Sequence, residues 1–285
     1  NIETESNDTR STADALVSGS AIKGQLHSKT DIDYYSFAAT SAGSISIDFD
    51  PTVSSSYTEY YTVSLLDSSG SVLASQDVGK DTVFSAGVTA AGTYYVAVDA
   101  YTASAYSTYH DSGEYSLTAS IAAGSTANIE TESNDTRSTA DSLVSGSEIK
   151  GQLSSAIDID YYSLAATAAG TISIDFDPTV NSSVFEYYTV SLLDSSGSVL
   201  ARQDVGKDTN FSAGVTAAGT YYVSVDTYNP SAYSTYHDSG EYSLTASIAA
   251  GSTANIETES NNTRDTADAL VSGSEIKGQL SSETD

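Results

Sequence analysis

The sequence predicts an all-β protein made of tandem antiparallel β-sandwiches, jelly-roll-like, of about 127 residues each. Three observations lead there. Asn1, Asn128 and Asn255 fall in register, as do Asp31, Asp158 and Asp285, so the chain repeats with a period of 127 residues. That is too long for one coil of a solenoid, whose units run to roughly 20–50 residues, so each copy is expected to be a whole domain. Within a copy, apolar residues alternate with polar ones at the period of a half-buried strand, and turn-forming clusters such as DSSGS and AAGT separate the alternating runs.

The elements follow in order along the first copy. A turn, the one helical expectation, falls around Thr12 to Leu16, and AIKGQL then starts the strands. DYYSFAA follows. In SISIDFD, Ile45, Ile47 and Phe49 point inward while Ser46, Asp48 and Asp50 point outward. The same alternation turns Tyr61, Val63 and Leu65 inward in YTVSLLD, and SVLASQDV and TVFSAGV come next. GTYYVAVD buries Tyr94, Val96 and Val98, and EYSLTASI buries Tyr115, Leu117, Ala119 and Ile121. Eight or nine short strands with almost no helix make a sandwich, and alternation alone leaves the strand order open.

The repeat places the domains at residues 1–127, 128–254 and 255–285, the last being the N-terminal fragment of a third copy. About 17 of the 127 positions differ between the two full copies, which indicates recent duplication within a longer array. The chain has no methionine, even at position 1, and is read as an internal piece of that array. The joint is IAAGSTANIE, whose small residues suit a linker better than a core.

Composition narrows the function classes. There is no cysteine, which excludes a disulfide framework, a thiolate zinc site and cysteine nucleophiles. Ten Lys plus Arg stand against 38 Asp plus Glu, a formal charge of -28, so nucleic acid is not an expected partner. Cations are, alongside the simpler reading that the charge keeps the protein soluble in a salty medium. No apolar stretch approaches the roughly 18 residues of a membrane span, and nothing resembles a signal peptide.

The acids are concentrated where each copy begins. NIETESNDTR opens the chain, returns at Asn128 to Arg137, and recurs from Asn255 as NIETESNNTR. Glu3, Glu5, Asn7 and Asp8 supply four oxygen-bearing side chains in six residues, and Asp31 and Asp33 in DIDYY add two more. Calcium takes six to eight oxygen ligands from such groups. Brought together without a counter-ion these carboxylates would repel one another; left apart, they are ordinary surface acids. No EF-hand loop and no glycine-rich nonapeptide calcium repeat is present, so a site here requires tertiary contact. Asn7-Asp8-Thr9 also matches the N-glycosylation pattern, a weak signal in a chain this rich in Ser and Thr.

The ordered motifs E-x-N-D-T, T-A-D, I-K-G-Q-L, D-x-D-Y-Y, L-L-D-S-S-G, G-T-Y-Y-V and G-E-Y-S-L span nearly all of each copy. In this they resemble the bacterial pre-peptidase C-terminal domain, related to the collagen-binding domains of clostridial collagenases. The resemblance implies a jelly-roll sandwich whose N-terminal linker binds Ca2+ with aspartates near the D-x-D-Y strand. It implies as ligands Glu3, Glu5, Asn7, Asp8, Asp31 and Asp33, with the Tyr34 carbonyl as an addition. In the second copy the matching residues are Glu130, Glu132, Asn134, Asp135, Asp158 and Asp160. The third copy keeps Glu257, Glu259 and Asn261 but carries Asn262 in place of the aspartate, and it ends at Asp285.

No catalytic constellation stands out, and the expectation is that the chain is not an enzyme. His27 aligns with Ser154, so only His110 and His237 recur, in STYHDSGEY, without a G-x-S-x-G elbow or an H-E-x-x-H helix. The 21 tyrosines divide between core filling, in a chain without Trp or Met, and contact with sugar or collagen surfaces. For the second role the loop residues are Tyr101, Tyr106 and Tyr109, with Tyr228, Tyr233 and Tyr236 in the second copy.

These observations give a leading expectation: a calcium-stiffened tandem extender of a large secreted or cell-surface bacterial adhesin or extracellular fibre, with neighbouring repeats as its partners. The alternatives are a carbohydrate- or collagen-binding module using the tyrosine loop, and an accessory C-terminal domain of a secreted peptidase. Residues 255–285 could also dock on another molecule's incomplete sandwich by strand addition, giving self-association.

Overall fold

The computed structural model describes residues 1–52, 59–101, 113–124, 126, 128–179, 182–228, 241–251 and 255–280. Among them every regular element is a strand, and the chain divides into two compact units, Asn1–Ser133 and Asn134–Asp285. The first unit holds β1 (Asp14–Leu16), β2 (Ile22–Gln25), β3 (Ile32–Ala39), β4 (Gly43–Pro51) and β5 (Tyr61–Leu66). It continues with β6 (Val72–Val78), β7 (Thr82–Val88), β8 (Gly92–Ala100) and β9 (Glu114–Ala123). One sheet has the order β1-β3-β8-β5-β6 and the other β2-β9-β4-β7.

Each strand expected from alternation is found. Ile45, Ile47, Phe49, Tyr61, Val63, Leu65, Val96, Val98, Leu117 and Ala119 are buried, as their parity requires, and Tyr94 and Ile121 pack at the margin of the same core. The aromatic centre is Phe49, Tyr61 and Tyr115, with ring centroids 5.0–5.8 Å apart in tilted and edge-on arrangements that favour π-systems. Tyr61 keeps its polar tip satisfied by donating to the Gly113 carbonyl at 3.0 Å. These tyrosines fill the core.

One expectation needs correction. The segment Thr12 to Leu16 is not a helical turn: the turn ends at Thr12, whose N–H donates to the Thr9 carbonyl at 3.0 Å, and Asp14–Leu16 then forms β1. β1 pairs parallel to β3, with Asp14 opposite Tyr35 and Leu16 opposite Phe37, so the sandwich is antiparallel except at this edge. Three residues carry too little periodicity to reveal a strand, and the pairing depends on an edge of β3 distant in sequence.

The second unit repeats the plan with β10 (Asp141–Ser142), β11 (Glu148–Gln152), β12 (Ile159–Ala166), β13 (Gly170–Pro178) and β14 (Tyr188–Leu193). β15 (Val199–Val205), β16 (Thr209–Val215), β17 (Gly219–Thr227) and β18 (Glu241–Ala250) complete it. Its sheets run β10-β12-β17-β14-β15 and β11-β18-β13-β16.

The acidic stretch belongs to both ends of a sandwich. In the first unit, residues 1–3 run alongside β2: Ile2 bridges Lys23, Lys23 N–H donates to the Asn1 carbonyl at 3.1 Å, and Glu3 N–H donates to the Lys23 carbonyl at 2.9 Å. The same unit also holds the start of the next copy, for the Gly87 N–H at the free edge of β7 donates to the Glu130 carbonyl at 3.0 Å. Only glycine fits there, because a Cβ would overlap that carbonyl and the Thr131 methyl. Gly214 on β16 holds the Glu257 carbonyl in the same way at 3.2 Å.

Candidate metal centre

Within the first unit the two segments that carry the six residues expected of the first-copy site meet at the start of β3. The start of β3 supplies Asp33 and the turn before it Asp31, while the N-terminal segment supplies Glu3, Glu5, Asn7 and Asp8. Tyr34 N–H donates to the Asn7 carbonyl at 3.0 Å and fixes the segment against β3. One oxygen from each of Glu5, Asp8 and Asp31 lies within 4.8 Å of the others. Calcium–oxygen distances of about 2.3–2.6 Å make that separation suitable for three ligands of one ion.

The buried members give the site its chemical character. Asn7 and Asp33 are both fully buried. Neither the carboxamide oxygen nor the nitrogen of Asn7 has a hydrogen-bond partner among the described residues, and Asp33 Oδ1 has none either. A buried polar group without a partner costs about 1–3 kcal/mol, so each of these atoms calls for a ligand.

Asp33 Oδ2 ends a chain of hydroxyls. Glu3 Oε1 accepts from the Gln25 N–H at 2.5 Å, and its Oε2 accepts from the Tyr35 hydroxyl at 2.6 Å. The Tyr35 and Tyr115 hydroxyl oxygens are 2.7 Å apart, and Tyr115 donates to Asp33 Oδ2. Three oxygen–oxygen contacts share two phenolic protons, so with both carboxylates ionised one contact has no proton. Burial, and then the charges of Glu3, Asp31 and Glu5, push the Asp33 carboxyl up to about 8, while the Tyr115 hydrogen bond pulls the other way. Burial and the hydrogen bond to Glu3 raise the Tyr35 phenol. Glu5 is also raised, by burial and then by Asp31. The cluster thus carries more negative charge than its surroundings solvate, the condition a cation relieves.

Gly24, in the I-K-G-Q-L motif, makes room for this chain. A Cβ there would overlap the hydroxyls of Tyr35 and Tyr115.

The structure adds residues that the sequence reading did not assign. Asp14, at the start of β1, accepts the Thr4 N–H at 2.5 Å and ties the acidic segment to the sandwich. His27 places Nδ1 2.5 Å from Glu5 Oε1 and 3.7 Å from Asp31 Oδ2. Its equivalence to Ser154 left no repeat signal to find it by, whereas Asp14 recurs as Asp141 and Asp268 at fixed spacing from each acidic run. Asn7 is also buried too deeply to be a glycosylation acceptor, so the Asn7-Asp8-Thr9 pattern has no accessible target.

The second-copy set is divided by the unit boundary: Glu130 and Glu132 belong to the first unit, and Asn134, Asp135, Asp158 and Asp160 to the second. In the second unit Asn134, Asp158 and Asp160 are buried, Tyr161 N–H donates to the Asn134 carbonyl at 3.0 Å, and Tyr242 donates to Asp160 Oδ2. Burial, and then Asp158, raise the Asp135 carboxyl. In the third copy Asn261 is half-buried and its Nδ2 lies 3.5 Å from both Glu257 Oε2 and Asp268 Oδ2, while Glu259 Oε2 accepts the Asn261 N–H at 3.2 Å. Asp285 lies outside the described residues.

Of the tyrosine loop, Tyr101 is half-buried with its N–H bonded to the Tyr60 carbonyl at 3.0 Å, and Tyr228 is 44% exposed. Tyr106, Tyr109, Tyr233 and Tyr236, with His110 and His237, lie outside the described residues. Among the described residues no helix is long and apolar enough to cross a membrane.

No family model matches the sequence, and no curated protein matches it. Among solved structures the chain is similar to the pre-peptidase C-terminal domain of collagenase from Bacillus anthracis. That match has 24% identity over 38% of this chain and 93% of that one, with a TM-score of 0.27. It is also similar to the CBM22-1–CBM22-2 tandem domain of Paenibacillus barcinonensis Xyn10C, at 12% identity over 76% of this chain and 82% of that one, with a TM-score of 0.26.

Proposed function

We propose that the chain is a calcium-binding segment of a secreted or cell-surface bacterial protein, in which calcium stiffens the joint at the start of each sandwich and the tandem domains act as an extender. The observation that carries this reading is the convergence of Glu5, Asp8 and Asp31, one oxygen of each within 4.8 Å of the others, in the unit where Asn7 and Asp33 are fully buried with polar atoms that have no partner among the described residues. The arrangement supplies oxygen donors of the kind calcium takes. Support for stiffening comes from the third-copy stretch within the second unit, where the Glu257 carbonyl accepts from Gly214 on β16 at 3.2 Å and the Glu257 N–H donates to the Lys277 carbonyl of its own copy at 2.9 Å. An ion gripping such a stretch removes its remaining freedom. Extracellular calcium modules have dissociation constants of about 10⁻⁴–10⁻³ M, so such a site fills outside cells and empties inside.

Titration calorimetry with calcium tests the binding, and small-angle scattering tests the stiffening. Binding in that range with a narrower distribution of interdomain distances in calcium supports the reading. No heat of binding, or scattering identical in calcium and chelator, counts against it.

A further inference from the structure

The first-copy site differs from its repeats in one ligand. His27 stands where the second and third copies have Ser154 and Ser281, so an imidazole nitrogen enters only here. One ligand atom from each of Glu3, Glu5 and His27 lies within 4.8 Å of the others. His27 Nδ1 is the ring nitrogen facing the carboxylates, and its side chain is 58% exposed, which gives an ion a path from solvent. The backbone at this point is pinned, since His27 N–H donates to Asp31 Oδ2 at 2.5 Å.

We propose that this corner of the site binds a zinc-class transition cation through Glu3, Glu5 and His27, which makes the first copy a two-metal-specificity variant of a repeated calcium site. One imidazole with two carboxylates makes three N/O ligands and leaves a fourth position for water, the ligand number of an open tetrahedral zinc centre. Calcium has little use for a nitrogen donor, whereas imidazole suits zinc, cobalt and copper. Beside this corner the fully buried Asp33, linked to Glu3 through the Tyr35 and Tyr115 hydroxyls, keeps an Oδ1 that has no partner among the described residues. Glu5 belongs both to this set and to the set with Asp8 and Asp31, so the two cations compete for it. The proposal rests on reading the region as a cation site, but its test is separate from that of calcium.

The full chain, stripped of metal, is titrated with Co2+ and followed by visible absorption, with Zn2+ then added as competitor. Wild type is expected to develop an intense low-symmetry cobalt band saturating near about one equivalent and to lose it on adding zinc. His27→Ser, which installs the residue of the second copy, is expected to lose the band and about tenfold or more of the zinc affinity. The same variant should keep its calcium-dependent melting shift, which shows that it folds and that calcium needs only oxygen. Equal cobalt bands and zinc affinities in wild type and His27→Ser, or no band in wild type, overturn the zinc assignment. Loss of calcium response in wild type as well would overturn the cation reading as a whole.

Discussion

Replacing Asn7 with leucine should have opposite effects with and without calcium. The backbone carbonyl of Asn7, which accepts from Tyr34, is unaffected by the change, and leucine keeps the branched skeleton of asparagine with bulkier methyl groups in place of the oxygen and nitrogen. In chelator the wild-type carboxamide is fully buried with neither polar atom partnered, so removing it relieves a penalty of about 1–3 kcal/mol, less whatever repacking costs. The first unit of the variant should then melt at the same temperature as wild type or a few degrees higher. In calcium the balance reverses. With a dissociation constant of about 10⁻⁴–10⁻³ M, calcium at about 10 mM stabilises the wild-type site by roughly 1.4–2.7 kcal/mol through mass action. The variant lacks one ligand and should forfeit most of that. The assay is thermal unfolding in calcium and in chelator, with the second unit, unaltered in its own residues, as an internal reference. A variant destabilised equally in both conditions would show that Asn7 serves the apo fold through some other partner, and would refute the reasoning.

Two further outcomes follow from the same geometry. Gly24→Ala pushes a methyl group into the Tyr35 and Tyr115 hydroxyls, so it should destabilise the first unit by about 1–3 kcal/mol and weaken calcium binding in calorimetry. Asp99, on β8, is pushed up to about 6 by burial and then by Asp77, so the folded state retains a proton that the unfolded chain releases from about pH 4 upward. Stability from this group therefore falls as pH rises from about 4 to about 6, and the cost persists above that. Asp99→Asn should be more stable than wild type at about pH 8, by on the order of 1 kcal/mol, and not at about pH 4; denaturant unfolding at the two values checks the sign.

Much of this was legible in the sequence because alternation and repetition are local signals. Ile45, Ile47 and Phe49 declare their face by spacing alone, and Asn1, Asn128 and Asn255 mark the copies. The first-copy acids were legible as residue types in a pattern, and in the fold one oxygen from each of Glu5, Asp8 and Asp31 lies within 4.8 Å of the others. What stayed hidden depends on contacts between residues far apart in the chain. The parallel pairing of β1 with β3, the Tyr35–Tyr115 relay and the reason Gly24 must be glycine all arise only when residues some 10–90 positions apart meet. The hold of Gly87 on Glu130 was hidden for the same reason, since nothing in TVFSAGV announces a backbone partner. His27 does not recur, Ser154 and Ser281 standing in its place, so repetition gives no sign of it, although a departure from a near-perfect repeat beside an acidic cluster is itself a signal.

The most direct test of the calcium claim is the melting of the whole chain across calcium concentrations and in chelator, followed by near-UV tyrosine signal, since Tyr35 and Tyr115 adjoin the site. The account predicts a transition that rises steadily with calcium once the dissociation constant is exceeded, by the amount mass action sets. Superimposable melts at every calcium concentration would contradict it and would leave the acidic run as a solvated surface.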